Sequence, residues 1–400
     1  MTATAEAADR PAPSSDLVPD LARGIDDVGY DIFRAAANDA ENTVVSPVSI
    51  GLAFGMADAG ASGSVADALE AAFGFPGTGE ERLEAFNAYE QALSIPPGTT
   101  GEEPSTGEDV TLPTVTIANR VYTDTDFAPR PEYIEDVETW FGAGAETVPM
   151  RSDGAAAADA MNAWIDDRTE GLIQNLYSAQ SFNNASRLTL LNALYMKAAW
   201  RETLDPELTV DLPFTRLDGT AEDVPMMDAT DTASAVATGD DYMAASLAYA
   251  GDALEMVVVV PDEGAFAGVR ERMGSDLMAE LDGAWSQEPF VVQIPRFEAG
   301  SKLNLGAVME GQLGLDGIFG VVGLDGIGEE LLIGSAIHAT KVIVDEEGTE
   351  AAAVTGISVE DSGMPDPALE VIADRPFLYV IRDVDTGAAL FVGQVLDPAL

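Results

Sequence analysis

Four hundred residues suffice for one large domain or two ordinary ones, and a 46% hydrophobic content excludes disorder of the whole chain. Against 70 acidic residues stand only 19 basic ones, a formal charge of −51 that argues against binding nucleic acid or an anionic membrane. There is no cysteine, which excludes disulfides, thiolate nucleophiles and cysteine metal sites. The acids are spread along the chain, and the lysines number three, Lys197, Lys302 and Lys341. Such a surface repels itself unless salt screens it, and it reads as the adaptation of a halophilic archaeon to salt-saturated surroundings.

The N-terminus, "MTATAEAADRPAPSSD", has neither a basic start nor an apolar run, so no signal peptide is evident, and residues 1–20 read as a disordered tail. In 21–39, Ile25, Val28, Ile32 and Phe33 share one side of a helix. Ser46 before Pro47 opens a second, buried helix over 46–61. The polar Pro/Gly stretch 95–109 reads as an inserted loop. Helical spacing returns over 155–177 through Met161, Trp164, Ile165 and Ile173.

From there the pattern is mainly strands: 187–200, 253–261, 290–299 and 336–347 are β-rich runs, most of them bounded by turn residues. The aliphatic run at 254–260 is far shorter than the roughly 20 residues of a membrane helix. The C-terminus reads as a hairpin, "FLYVI" and "AALFVGQVL" around "RDVDTG", whose Asp383 and Asp385 belong to a plain turn rather than a calcium loop. Helices first and strands later, without regular alternation, predict an α+β protein with one domain over 21–400.

Catalytic constellations are missing from the sequence. The single histidine, His338, cannot serve a Ser-His-Asp triad that has no G-x-S-x-G elbow, and it sits in a strand-like segment where a buried hydrogen-bonding role is expected. "GASGS" at 60–64 has no following Lys to hold a phosphate, no metal set is visible, and the carboxylates are too numerous for any pair to stand out. The chain reads as a non-enzyme that needs no cofactor.

One stretch remains, "VDEEGTEAAAVTGIS" at 344–358. Written as a strand, it puts Thr349, Ala351, Ala353 and Thr355 on one face and Glu350, Ala352 and Val354 on the other. The first face is small and uncharged, able to slide between two strands without burying charge. Gly348 is a pivot before it, and a turn-rich tether follows. Composition alone leaves two readings open, an insertable strand and a flexible linker.

At this point the sequence resembles the serpin family. Glu346–Thr355 is similar to its hinge: Glu346, Glu347, Gly348, Thr349, Glu350, Ala351, Ala352, Ala353, Val354 and Thr355. "NTVVSPVSI" (42–50), "MNAWIDDRTEGLI" (161–173), "LLNALYMKAAW" (190–200) and "ADRPFLYVIRDVDTGAALFVGQVLDP" (373–398) match further family motifs in order. The resemblance implies a serpin fold, three β-sheets with eight or nine helices and a reactive loop at about 348–374. It also implies irreversible inhibition of a serine endopeptidase, which attacks the loop and is trapped as an acyl-enzyme when the cleaved loop inserts as a strand. The alternative is a non-inhibitory member acting as chaperone, carrier or storage protein.

Carried over by motif, Ser46, Ser49, Asn192 and His338 would form a hydrogen-bonded shutter, and Trp200 would mark the breach where the loop enters, near Glu346. Counting from Gly348 places the scissile bond at Ser362–Gly363. A later return segment leaves Gly363–Met364 open, while Met364–Pro365 would put a blocking proline after the cut. A small residue there suits a subtilisin-like or elastase-like protease, attacking a monomeric inhibitor. Serpins are often extracellular, yet no export signal is evident, so a cytoplasmic place stays open. Departures from the family pattern are Val65, Ala68, Met196, Ala198, Ala339 and Val354.

Overall fold

The computed structural model describes residues 10–334, 336–349 and 369–399. The first part is mostly helical: α1 (Val18–Ala36), β1 (Thr43–Val45), α2 (Pro47–Asp58), α3 (Gly63–Phe73) and α4 (Glu80–Leu93). A hairpin of β2 (Thr100–Glu102) and β3 (Asp109–Thr111) precedes β4 (Thr114–Asp124), α5 (Pro131–Phe141), β5 (Gly144–Val148) and α6 (Gly154–Arg168). Next come β6 (Leu188–Ala199), β7 (Val210–Thr215), β8 (Ala221–Asp228), β9 (Ala233–Thr238), β10 (Tyr242–Ala248) and β11 (Leu254–Pro261). The chain continues through α7 (Phe266–Arg272), α8 (Ser275–Asp282), β12 (Phe290–Pro295), β13 (Phe297–Asn304), α9 (Leu305–Met309), β14 (Ile337–Asp345) and β15 (Gly348–Thr349). It closes with β16 (Leu369–Ile372), β17 (Phe377–Asp383) and β18 (Ala389–Val395).

Among the described residues these strands form three large sheets, in the orders β1-β18-β17-β11-β10-β9, β16-β12-β8-β7 and β13-β14-β15-β6-β4-β5, beside the β2-β3 hairpin. Strand alternation divides the faces of β6. Leu191 and Ala193 pack toward α6 with Met161 and Trp164, whereas Leu194, Met196 and Ala198 face the main core. α2 runs through that core, buried along nearly its whole length. Its start is set by Pro47 in the first turn and by Ser46, whose Oγ accepts the Ser49 N–H at 3.2 Å.

Several elements depart from the expected boundaries, each for a local reason. The helix expected over 155–177 ends at Arg168, because Glu170 and Gly171 take positive φ of 48° and 86° and the Thr169 hydroxyl bonds back to the Ile165 carbonyl. The run 290–299 is two strands in different sheets, β12 and β13, divided at Arg296 after Pro295. The 95–109 stretch carries the β2-β3 hairpin rather than an irregular loop. The tail ends sooner than expected: α1 begins at Val18, and Arg10 and Pro11 are hydrogen-bonded to α4. Residues 1–9 lie outside the described residues.

Candidate functional site

Gly348 and Thr349 occupy the middle of the β13-β14-β15-β6-β4-β5 sheet. Thr349 pairs with Val344 of β14 on one side and Ala198 of β6 on the other, antiparallel to both. β6 and β14 therefore run parallel to each other. At this level they stand two strand spacings apart, roughly 9–10 Å. Among the described residues no ladder joins β6 to β14 directly, so this two-residue strand is all the described backbone between them. The arrangement is a slot bounded by parallel strands, and a strand entering from Thr349 would be antiparallel to both, the better-bonded orientation.

Glycine is required at 348 for two reasons. Its φ is +141°, and a Cβ would lie 2.0 Å from the Ala198 carbonyl oxygen. Thr349 is 3% exposed, and its Oγ1 lies 2.7 Å from the Tyr249 hydroxyl. Tyr249 in turn stacks on Trp200, with ring centroids 4.6 Å apart.

Trp200 fastens the turn before the slot. Its indole Nε1–H donates to the Asp345 carbonyl at 2.9 Å, and its backbone N–H donates to the Glu347 carbonyl at 3.0 Å. Glu346 is buried beside it, with its carboxylate held by Arg296 Nε at 2.6 Å and by the Thr209 hydroxyl at 2.5 Å. Burial pushes this carboxyl up, but the hydrogen bonds from Arg296 and Thr209 outweigh it and hold the pKa below the usual range.

Deeper under the sheet, His338 of β14 accepts the Ser46 N–H at Nε2, 3.0 Å away. Burial lowers its pKa from 6.5 to about 4, so it is neutral here. Next to it, the Thr340 hydroxyl donates to the Val44 carbonyl at 2.8 Å. These bonds tie β14 to β1 and to the start of α2.

A family model described as Serpin (serine protease inhibitor) matches residues 23–398. The chain belongs to the serpin family. Human neuroserpin is 29% identical over 386 residues, covering 92% of this chain and 89% of that one. The wheat protein Serpin-Z2B (Triticum aestivum) is 30% identical over 393 residues, covering 93% and 94%. The structure of Serpin48 from the insect Tenebrio molitor superposes with a TM-score of 0.80 at 24% identity, covering 96% of this chain and 99% of that one. The fold is the serpin fold, α+β with three large sheets and, among the described residues, nine α-helices.

The residues expected to matter in this serpin are only partly gathered. Ser46, Ser49 and His338 meet at the start of α2. Asn192 donates to Asn119 Oδ1 at 2.9 Å, because the β4-β6 register sets the two directly opposite, and its own Oδ1 is buried without a partner among the described residues. Trp200 and Glu346–Thr349 form the mouth of the slot. Glu350, Ala351, Ala352, Ala353, Val354, Thr355 and the candidate scissile residues Ser362, Gly363 and Met364 lie outside the described residues. Sequence reasoning missed Tyr249, Arg296 and Thr209. Tyr249 is 100 positions from its partner Thr349 and Arg296 is 50 from Glu346, and no local pattern signals such a pair.

Proposed function

We propose that this serpin is an irreversible inhibitor of serine endopeptidases that works by suicide-substrate trapping. The protease attacks the loop at Ser362–Gly363, or one bond later, forms an acyl-enzyme on the residue before the cut, and is carried along as the freed loop enters the sheet from Thr349. The observation that carries this reading is Thr349 itself, already buried between β14 and β6 with an antiparallel partner on each side. Small side chains at 351–353 continue the uncharged face that such a slot accepts.

Many family members inhibit serine proteases and some do not, so the hinge decides between them. A charged or bulky hinge would resist insertion, and Gly348–Ala353 has one charge, Glu350, on the face opposite Thr349. The small residues at the cut fit a subtilisin-like or elastase-like target. The protein acts as a monomer and is consumed by its target rather than turning over. Its formal −51 charge suits a halophile's molar salt.

The test is to mix the protein with a subtilisin-like protease in molar salt and run a denaturing gel. Trapping gives a band at the summed mass that survives SDS, and mass analysis of the released peptide fixes the bond. Clean cleavage near residue 362 without that band, repeated with an elastase-like enzyme, would replace this reading with the non-inhibitory one.

A further inference from the structure

Arg10 lies before the first helix, yet its guanidinium makes four hydrogen bonds into the body of the protein. Nε donates to Asn87 Oδ1 at 3.1 Å, Nη1 to Glu90 Oε1 at 2.9 Å, and Nη2 to Glu90 Oε2 at 3.1 Å and to the Trp140 carbonyl at 2.7 Å. The Pro11 carbonyl accepts from Asn87 and from Gln91, each at 3.1 Å. Glu90 and Asn87 are interior residues of α4, only 4% and 1% exposed. Burial pushes the Glu90 carboxyl up to about 7 even with Arg10 beside it.

The chain of bonds continues past Glu90. Its Oε2 accepts from Asn119 Nδ2 at 3.3 Å, and the same nitrogen donates to the Phe141 carbonyl at the end of α5 at 3.0 Å. Asn119 Oδ1 accepts from Asn192 of β6. A continuous path therefore runs from the N-terminal segment through α4 to β4 and then to β6, one wall of the slot.

This path crosses a mechanical boundary. β4 and β6 share a register from Thr114↔Lys197 to Thr123↔Leu188 and must move as one piece. α4 instead packs on α1 and α2 and belongs to the other side, while α5 bridges α4 to β5, the neighbour of β4. Closing the slot would carry β6 and β4 toward β14 by one strand spacing, about 4.8 Å, which is more than the Asn119–Glu90 hydrogen bond can span.

We propose that Arg10 and Glu90 are positioning residues for loop insertion: through Asn119 they hold β4 and β6 at the spacing that admits a strand. The role rests on the insertion reading above. With Arg10 gone, the Glu90 carboxyl is driven further toward its protonated form, Asn87 Oδ1 and the Trp140 carbonyl lose their donor, and relief comes from α4 shifting and releasing Asn119. The slot then narrows, insertion slows, and deacylation wins more often. The pair is buried, so molar salt does not screen it away.

The experiment compares wild type, Arg10→Ala, Glu90→Gln and the double variant against a subtilisin-like protease in molar salt, at a temperature where all are folded. The readout is the number of inhibitor molecules cleaved per protease trapped. Arg10→Ala raises this ratio several-fold, and the increase shrinks in the Glu90→Gln background, where the paired Arg10–Glu90 contact is already lost. An unchanged ratio, or an equal increase in both backgrounds, overturns the proposal.

Hydrogen exchange on the uncleaved protein gives a second readout that needs no protease. Arg10→Ala slows exchange at the slot-facing amides of 188–199 and leaves 377–395 as it was. Exchange that is unchanged or raised at those slot-facing amides overturns the proposal. If wild type traps no protease, the inhibitor reading fails by itself, and hydrogen exchange still decides the role of Arg10.

Discussion

The β17-β18 hairpin and the β14-β6 pair lie in one chain and are built on opposite terms. Every residue of β17 and of β18 is buried, and each strand is laddered on both sides, β17 against β11 and β18 against β1. Phe377, Leu378, Val380, Leu390, Phe391 and Val392 fill that core, so the strands cannot shift without opening cavities. β14 and β6 are bridged instead by Gly348 and Thr349, one without a side chain and one with a small side chain. Large apolar side chains fix a sheet once. Between β14 and β6, the described residues supply a ladder of only two small residues. On the insertion reading, this contrast lets one fold be well packed and still admit a further strand.

The sharpest way to break the contrast is to put bulk and charge in the slot. Thr349→Arg would bury a guanidinium without a partner, costing several kcal/mol, and should turn the inhibitor into a substrate. Denaturing gels should then show cleaved protein in place of the trapped complex. A wild-type proportion of complex would mean that trapping does not depend on the small, uncharged face that begins at Thr349.

Damage to the filled region should act differently. Leu378→Ala should cost about 2–5 kcal/mol in both the uncleaved and the cleaved protein, lowering both unfolding midpoints and leaving the trapping ratio alone. A changed ratio with unchanged midpoints would remove the distinction between the two regions.

His338 gives a smaller effect with a definite sign. Its folded pKa, about 4, lies below its ordinary 6.5, so the unfolded chain takes up this proton first as pH falls. Its contribution is complete above pH 6.5 and is lost progressively toward pH 4, about 3 kcal/mol in all. Denaturant midpoints between pH 7 and 4.5 should therefore fall more steeply for wild type than for His338→Gln. Parallel curves would refute the assignment.

The mildest change is Tyr249→Phe, which removes the Thr349 hydrogen bond at a cost of about 1 kcal/mol. It should release the hinge and raise the rate of complex formation by severalfold or less, measured by stopped-flow. A slower rate would mean that Tyr249 guides insertion instead of restraining it.

Much of this was legible in the sequence where the signal is local. Ser46–Pro47 marks the start of α2 within a residue, and the C-terminal hairpin and the hinge appear as short patterns. The resemblance to serpins supplied the number of sheets but not their strand order, which periodicity could not give either, since β14 and β6 meet through a strand about 150 residues away from one of them. What stayed hidden depends on pairs far apart in sequence. Tyr249 is an ordinary aromatic until Thr349 lies against it, and Arg10 sits in a polar tail until α4 presents Glu90. The boundary at Arg296 was missed because a proline inside an aliphatic run can mark an edge strand as readily as a change of sheet.

The central claim is that the cleaved loop becomes a strand between β14 and β6. Thermal unfolding of the protein before and after a single cut within 350–368, made by a protease that does not stay bound, tests it most directly. Insertion predicts that the cleaved form melts higher by about 10 °C or more, since several kcal/mol of new sheet are gained. A cleaved form that melts with the uncut protein, or below it, would contradict the account.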